Sequence, residues 1–272
     1  MLDLSRCLQV PPYPVFVYGN AILPFMSYVR AAFLGTGDAF AAGGRHQSGY
    51  LIYTEETALM LDCGATALAA LKRGGFSPSA IDAVFISHLH GDHFAGLAFL
   101  LLEYCFSDLR TRPLLIAGPP GIEKKSLSLY KVAYGDLADR PLRFKLEFLE
   151  MSPDKSIQVA SSLVTPFLVP HQDNEISFGF SVLINGRKIL YSGDTGWTEA
   201  LATHSQAADL FICECSFFET RFPYHLDYPQ LVENRKRFGA KRIILTHLGR
   251  EVLARRDEID MELASDGLIV DL

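Results

Sequence analysis

The chain has 272 residues, 49% hydrophobic and 21% charged, a balance that fits a soluble globular protein burying a sizeable core in one large domain. A formal net charge of -6 excludes the whole-molecule basic field that draws nucleic acid. The five cysteines (Cys7, Cys63, Cys105, Cys213, Cys215) are odd in number and form no C-x-x-C pair, which points to a reducing, cytoplasmic setting and away from a structural zinc knuckle.

Apolar runs such as Ile81–Ile86 and Phe94–Leu102 are too short to span a bilayer, and Pro11, Pro12 and Pro14 interrupt any leader-like stretch. Residues 1–28 read as an irregular extension packed on a single domain over residues 29–272. The domain opens with a strand at Val29–Leu34 and a glycine-rich turn, Gly35-Thr36-Gly37-Asp38. That turn lacks the third glycine and immediate helix of a dinucleotide site, because a loop, Ala41–His46, follows. Strands are expected at Gly49–Tyr53 and Ala58–Leu61, then an Ala- and Leu-rich helix over Ala65–Arg73 closed by Gly74-Gly75. A strand at Ala83–Ile86, a buried helix at Phe94–Phe106, a strand at Pro113–Ala117 and a helix from Pro119 to Tyr134 come next. Strands are then expected at Phe144–Leu149, Ile157–Thr165, Ile176–Ile184 and Lys188–Tyr191, the last two joined at Asn185-Gly186. A short helix at Ala200–His204, a strand at Leu210–Cys213, an amphipathic helix at Leu226–Phe238 and strands at Arg242–Leu245 and Leu268–Val270 complete the chain.

The densest chemistry is Ser87-His88-Leu89-His90-Gly91-Asp92-His93, directly after a buried strand. On extended chain His88 and His90 project to one face, and Gly91 lets the backbone turn so that Asp92 and His93 point elsewhere. Imidazoles and a carboxylate are the usual ligands of zinc and its neighbours, and two ligands each way suit a two-metal site. A histidine-rich surface loop or helix cap is the plain alternative. His171, Asp194 and His247 each stand where a strand gives way to a loop, and they bring the ligand count to seven, enough for two metals sharing a carboxylate and a water. Asp62 ends a strand and serves either a ligand histidine's second nitrogen or the N-cap of the following helix.

The pattern His88-x-His90-x-Asp92-His93, followed in order by His171, Ser192-Gly193-Asp194-Thr195 and Thr246-His247, resembles the metallo-β-lactamase-fold hydrolases over about residues 29–250. The resemblance implies an αββα sandwich of the α/β class with the site at one rim. It implies that His88, His90 and His171 hold one divalent ion, that Asp92, His93 and His247 hold a second, and that Asp194 bridges them. Zinc is the expected metal, with manganese and iron open. Asp92 as a ligand separates the chain from the true β-lactamases of this fold.

His225, 22 residues before His247, resembles the extra histidine of the ribonuclease Z and cyclic phosphodiesterase group. There it serves the phosphoryl oxygen or leaving group. Glu214 matches that group's carboxylate motif, with Ser216 in place of its threonine, and is expected to orient His225 and raise its pKa. Catalytic roles are therefore expected of Asp92, His225 and Glu214. The interval from His171 to Asp194 has no room for the arm with which ribonuclease Z grips transfer RNA, so a small or cyclic phosphodiester is the expected substrate, with nucleic acid not favoured. Hydrolysis of small esters, lactones or thioesters on the same site is the nearest alternative, followed by transfer-RNA processing, oxygen chemistry on iron and a non-catalytic binding role. Arg45 is placed beside the pocket as a phosphate ligand or a surface ion pair, and the run Arg235, Lys236, Arg237, Lys241 and Arg242 reads as a solvated face, with phosphate contact the alternative. A homodimer contact through residues 11–28 is left open, and no membrane partner is expected.

Overall fold

The structure, a computed structural model, describes residues 28–272, so the expected N-terminal extension and its dimer contact lie, but for Tyr28, outside the described residues. In chain order the first half contains β1 (Arg30–Gly35), β2 (Gly49–Tyr53), β3 (Ala58–Cys63), α1 (Ala67–Arg73), β4 (Ala83–Phe85), α2 (Gly91–Phe94), α3 (Gly96–Phe106), β5 (Leu114–Gly118), α4 (Ile122–Tyr134) and β6 (Leu146–Glu150). The second half contains β7 (Ile157–Val159), β8 (Ser162–Val169), β9 (Ser177–Ile184), β10 (Arg187–Tyr191), α5 (Glu199–His204), β11 (Leu210–Glu214), α6 (Tyr228–Asn234), β12 (Ile243–Thr246), α7 (Arg250–Ala254), β13 (Glu262–Leu263) and β14 (Ile269–Asp271).

These strands form two seven-stranded sheets, ordered β14-β1-β2-β3-β4-β5-β6 and β13-β12-β11-β10-β9-β8-β7. Each begins antiparallel and becomes parallel, at the β3/β4 pair in the first and at β10/β11 in the second. Alternation within single strands explains the layering. In β4, Ala83 and Phe85 face the core between the sheets while Val84 packs under the helices; in β11, Leu210 and Ile212 face inward while Phe211 and Cys213 face the other helical layer. Strands covered on both faces read as continuous apolar runs. The three apolar interfaces define four layers, the αββα sandwich expected of the sequence.

Several expected boundaries shift for identifiable reasons. The strand expected over Ile157–Thr165 is a hairpin, β7 pairing back on β8 through a turn in which Ala160 has a φ of 48°. The helix expected over Leu226–Phe238 begins at Tyr228, because the Asp227 carboxylate accepts from Gln230 N and Pro229 occupies the first turn. It gives way after Asn234 to a single 3-10 turn. Asp92 and His93 belong to a helical turn, α2, so the histidine segment is half strand-end and half helix. The Asn185-Gly186 turn has both residues at positive φ, the geometry a two-residue hairpin requires.

The inter-sheet core is aromatic where it approaches the functional rim. Phe180 lies with its ring centroid 6.0 Å from Phe85 and 6.3 Å from Tyr191, and it is fully buried. Truncating a buried phenylalanine removes transfer free energy and leaves a cavity. Phe180→Ala is expected to cost about 3–5 kcal/mol, read as a lower urea midpoint in equilibrium unfolding; a change below about 1 kcal/mol would show that the sheets close over the space.

Candidate metal centre

The rim where strands of both sheets end gathers the polar side chains, as expected for ligand sites at the carboxyl ends of strands in α/β sheets. His88 and His90 follow β4, His171 follows β8, Asp194 follows β10 and His247 follows β12. The backbone takes unusual conformations to present them. Gly193 has a φ of 61°, and a Cβ there would lie 2.4 Å from the Phe178 carbonyl oxygen, so only glycine fits before Asp194. Asp62 and His247 hold φ values of 56° and 55°, strained for residues with side chains.

The seven expected ligands converge in two groups. His90 Nδ1 lies 3.1 Å from His88 Nε2 and 3.0 Å from His171 Nε2. Asp92 Oδ2 lies 3.2 Å from His93 Nε2 and 3.3 Å from His247 Nε2. Asp194 Oδ2 joins the second group at 3.2 Å from both of its histidines and stands 3.9 Å and 4.0 Å from His88 and His171. Asp194 is thus the side chain placed between the groups.

The opposite nitrogens of these rings are held by the fold. Asp62 is the anchor of the first sheet: it accepts from Ser87 N at 2.7 Å, Ser87 Oγ at 2.8 Å, His93 Nδ1 at 2.7 Å and Tyr191 Oη at 2.6 Å. Ser87 Oγ is in turn 3.0 Å from His88 Nδ1, and His171 Nδ1 donates to the Tyr224 carbonyl at 3.0 Å. In the second sheet Ser216 Oγ donates to Glu214 Oε2 at 2.7 Å and accepts from His247 Nδ1 at 2.9 Å. Each bond fixes a tautomer and leaves the other nitrogen's lone pair directed into the site. Asp62 therefore holds the ring of His93, a candidate ligand, and the N-cap position of α1 belongs to Thr66, without a side-chain bond.

The electrostatics match a cation site. Burial pushes the His88, His90 and His171 imidazoles down, keeping them neutral as ligation requires. Burial opposes charge on Asp92 and Asp194, yet His93 and His247 hold both carboxyls well below their ordinary range. Burial likewise opposes a charged His93, but Asp194, Asp92 and Asp62 together draw positive charge onto it. His93 Nε2 and Asp194 Oδ1 are buried without a hydrogen-bond partner. Orphaned donor atoms among nitrogen and oxygen ligands, in a field that attracts positive charge, fit a divalent metal.

Beside this centre, Glu214 Oε1 accepts from His225 Nδ1 at 3.0 Å. Burial works against the His225 cation, but Glu214 outweighs it and the imidazole is pushed up to about 9. A cavity of about 310 Å³ opens over both groups, and Phe40, Phe217 and Arg250 line it together with Asp92, Asp194, His225 and His247.

Residues 29–267 match the family model of the "Anti-Pycsar protein Apyc1". The chain belongs to the Apyc1 anti-Pycsar family. It is 25% identical to the ribonuclease Z of Lachnoclostridium phytofermentans over 268 residues, covering 79% of this chain and 85% of that protein. It superposes on the short form of human tRNase Z with a TM-score of 0.73 and 26% identity, covering 89% of this chain and 98% of that one. The metallo-β-lactamase-fold protein YhfI of Bacillus subtilis shares the fold, with a TM-score of 0.72 at 22% identity over 90% of this chain and all of that one. This Apyc1-family chain is a hydrolase of the metallo-β-lactamase fold.

Arg45 departs from expectation: it donates to Thr36 Oγ1 and the Ala264 carbonyl and pins its own loop. The basic run is tied to acids, Arg235 to Asp260, Arg237 to Glu199, Lys241 to Asp209 and Arg242 to Glu262, in keeping with a solvated face. Tyr191, Phe40, Phe217 and Arg250 escape the sequence reading. Only Phe40 carried a signal there, a lone aromatic in a small-residue loop.

Removing the charge on Asp62 isolates its role. Asp62→Asn is expected to weaken metal affinity by about 10–100-fold, measured by competition with a chromogenic chelator. Unchanged affinity would reduce Asp62 to a purely architectural residue.

Proposed function

We propose that this chain is a two-metal phosphodiesterase acting on a small cyclic phosphodiester. The observation that carries the reading is the Glu214–His225 pair beside the metal centre. His88, His90 and His171 would hold one ion, Asp92, His93 and His247 the other, with Asp194 shared; the imidazole-rich set favours zinc. Bound ions would polarise the phosphoryl oxygens and make water a usable nucleophile at neutral pH.

The chain's own groups do the rest. Asp92, on the cavity wall, accepts a hydrogen bond from the attacking water and aligns it with phosphorus. His225 has Nδ1 committed to Glu214, so Nε2 is the atom that faces developing charge and delivers a proton to the leaving oxygen. Proton transfer of this kind is worth roughly 10²–10⁴-fold. An ester or lactone develops less charge and needs this acid less.

The substrate class follows from size and from kinship. A cavity of about 310 Å³ is at the small end for ligand sites, and the interval from His171 to Asp194 is filled by the β9–β10 hairpin. The Apyc1 family is one of cyclic-nucleotide phosphodiesterases. Free Cys63, Cys105, Cys213 and Cys215 support a cytoplasmic location, and among the described residues no helix is long and apolar enough to cross a membrane. Exposed Phe99, Phe106, Leu127 and Val132 on α3 and α4 support self-association as a homodimer.

Two measurements test the reading. Metal-loaded protein is expected to hydrolyse bis(p-nitrophenyl) phosphate and cyclic nucleotides in preference to lactones and thioesters, and to lose that activity on chelation; a preference for lactones would overturn it. His225→Ala is expected to lower phosphodiester turnover at least tenfold, with metal content unchanged by elemental analysis. A negligible loss removes His225 as the acid.

A further inference from the structure

We propose that Phe40 is the platform on which the base of a nucleotide substrate stacks, and that it sets the preference for base-bearing phosphodiesters. The inference rests on the phosphodiesterase reading and adds the part of the substrate remote from phosphorus. Phe40 is 91% exposed although it lines the cavity above the metal centre. A free aromatic side chain is unremarkable on a loose loop, but this loop is tightly held. The Asp38 carboxylate accepts from the backbone of Phe40 and Ala42, Arg45 reaches Thr36 and the Ala264 carbonyl, and His46 N donates to Asp266 at 2.7 Å. Ala41 takes a φ of 53°, a conformation costly for a residue with a Cβ, in the turn that presents the phenyl ring to solvent.

The rest of the cavity suits a planar group. Phe217 also lines the cavity and packs edge-on against Phe222, at 6.1 Å and 66°. Phe222 in turn stacks on His225 at 5.9 Å and 21°. Phe40 and Phe217 thus give the cavity aromatic surface beside His225, alongside the carboxylates and imidazoles of Asp92, Asp194, His90 and His247. A phosphodiester held at those polar groups leaves its organic substituent beside Phe40. Every nucleobase offers a π-face, so stacking there tolerates different bases and strengthens with ring area. An acyl chain would need an enclosed apolar slot, whereas Phe40 offers one open face.

The test compares 3',5'-cyclic adenosine monophosphate with base-free ribose 3,5-cyclic phosphate on metal-loaded protein. Phe40→Ala is expected to lower the ratio of kcat/KM for the nucleotide over the base-free substrate at least fivefold, with the loss falling on KM, and Phe40→Trp is expected to restore it. An exposed side chain can be removed with little effect on folding, which a thermal melt verifies. Equal losses on both substrates, or an unchanged KM for the nucleotide, overturn the platform. If the parent protein hydrolyses neither phosphodiester, the phosphodiesterase reading fails, and the platform falls with it.

Discussion

The structure turns on one buried anion. Asp62 is wholly inaccessible to solvent and, among the described residues, has no lysine or arginine against it, so four short hydrogen bonds replace its hydration. Leaving such a carboxylate unsatisfied costs more than any one of those bonds contributes. Its donors come from the histidine segment and, through Tyr191, from the opposite sheet. Satisfying Asp62 therefore fixes three things together: the orientation of His93, the start of the loop bearing His88 and His90, and the spacing of the sheets at the rim. The Tyr191 hydroxyl stays a donor because burial, reinforced by the Asp62 charge, pushes its pKa well above the ordinary phenol value.

Glu214 repeats the solution in the second sheet. It ends β11, is buried, and gathers Ser216, His225 and the backbone N–H groups of Thr195 and Leu226. Each sheet thus contributes one buried carboxylate that serves as a template for ligand loops. The difference lies in what they hold. Asp62 bonds a histidine that points at the metal centre, whereas Glu214 bonds one whose remaining nitrogen faces the cavity. Two similar devices at the ends of two similar sheets thus orient a candidate ligand in one case and the proposed proton donor in the other.

How much of this was legible in the sequence depended on how local the physics is. A candidate metal site concentrates uncommon side chains at strand ends and the turn that follows one, so His88, His90, Asp92, His93, His171, Asp194 and His247 stand out before any fold is known. Strands buried on both faces, such as β4 and β11, announce themselves as apolar runs. The hairpin inside Ile157–Thr165 was hidden because Ala160, which takes the positive φ of its turn, is not a residue type that signals one, and α6 was overextended because the polar run Arg235–Arg237 continues a helical pattern. Phe40 and Arg250 acquire meaning only from loops that tertiary contacts bring over the centre; in sequence Phe40 stands 48 positions before the first candidate ligand, His88. Arg45 misleads for the same reason: nothing in its neighbours reveals that its partners are Thr36 and the Ala264 carbonyl.

The two halves of the site are coupled mechanically as well as electrostatically. Gly196, two residues after Asp194, lies so close to the Pro223 carbonyl oxygen that a Cβ would stand 1.9 Å from it, and its N–H donates to the Pro170 carbonyl at 2.8 Å. The adjacent His171 donates to the Tyr224 carbonyl, next to His225. The loop carrying His225, the proposed proton donor, is thereby clamped between the segments that bear His171 and Asp194. A shift of His225 relative to Asp194 would break several of these contacts together. Catalysis by a metal centre and a separate acid, as proposed, requires their separation to be held within fractions of an ångström, and here close backbone packing supplements the Glu214 hydrogen bonds in holding it.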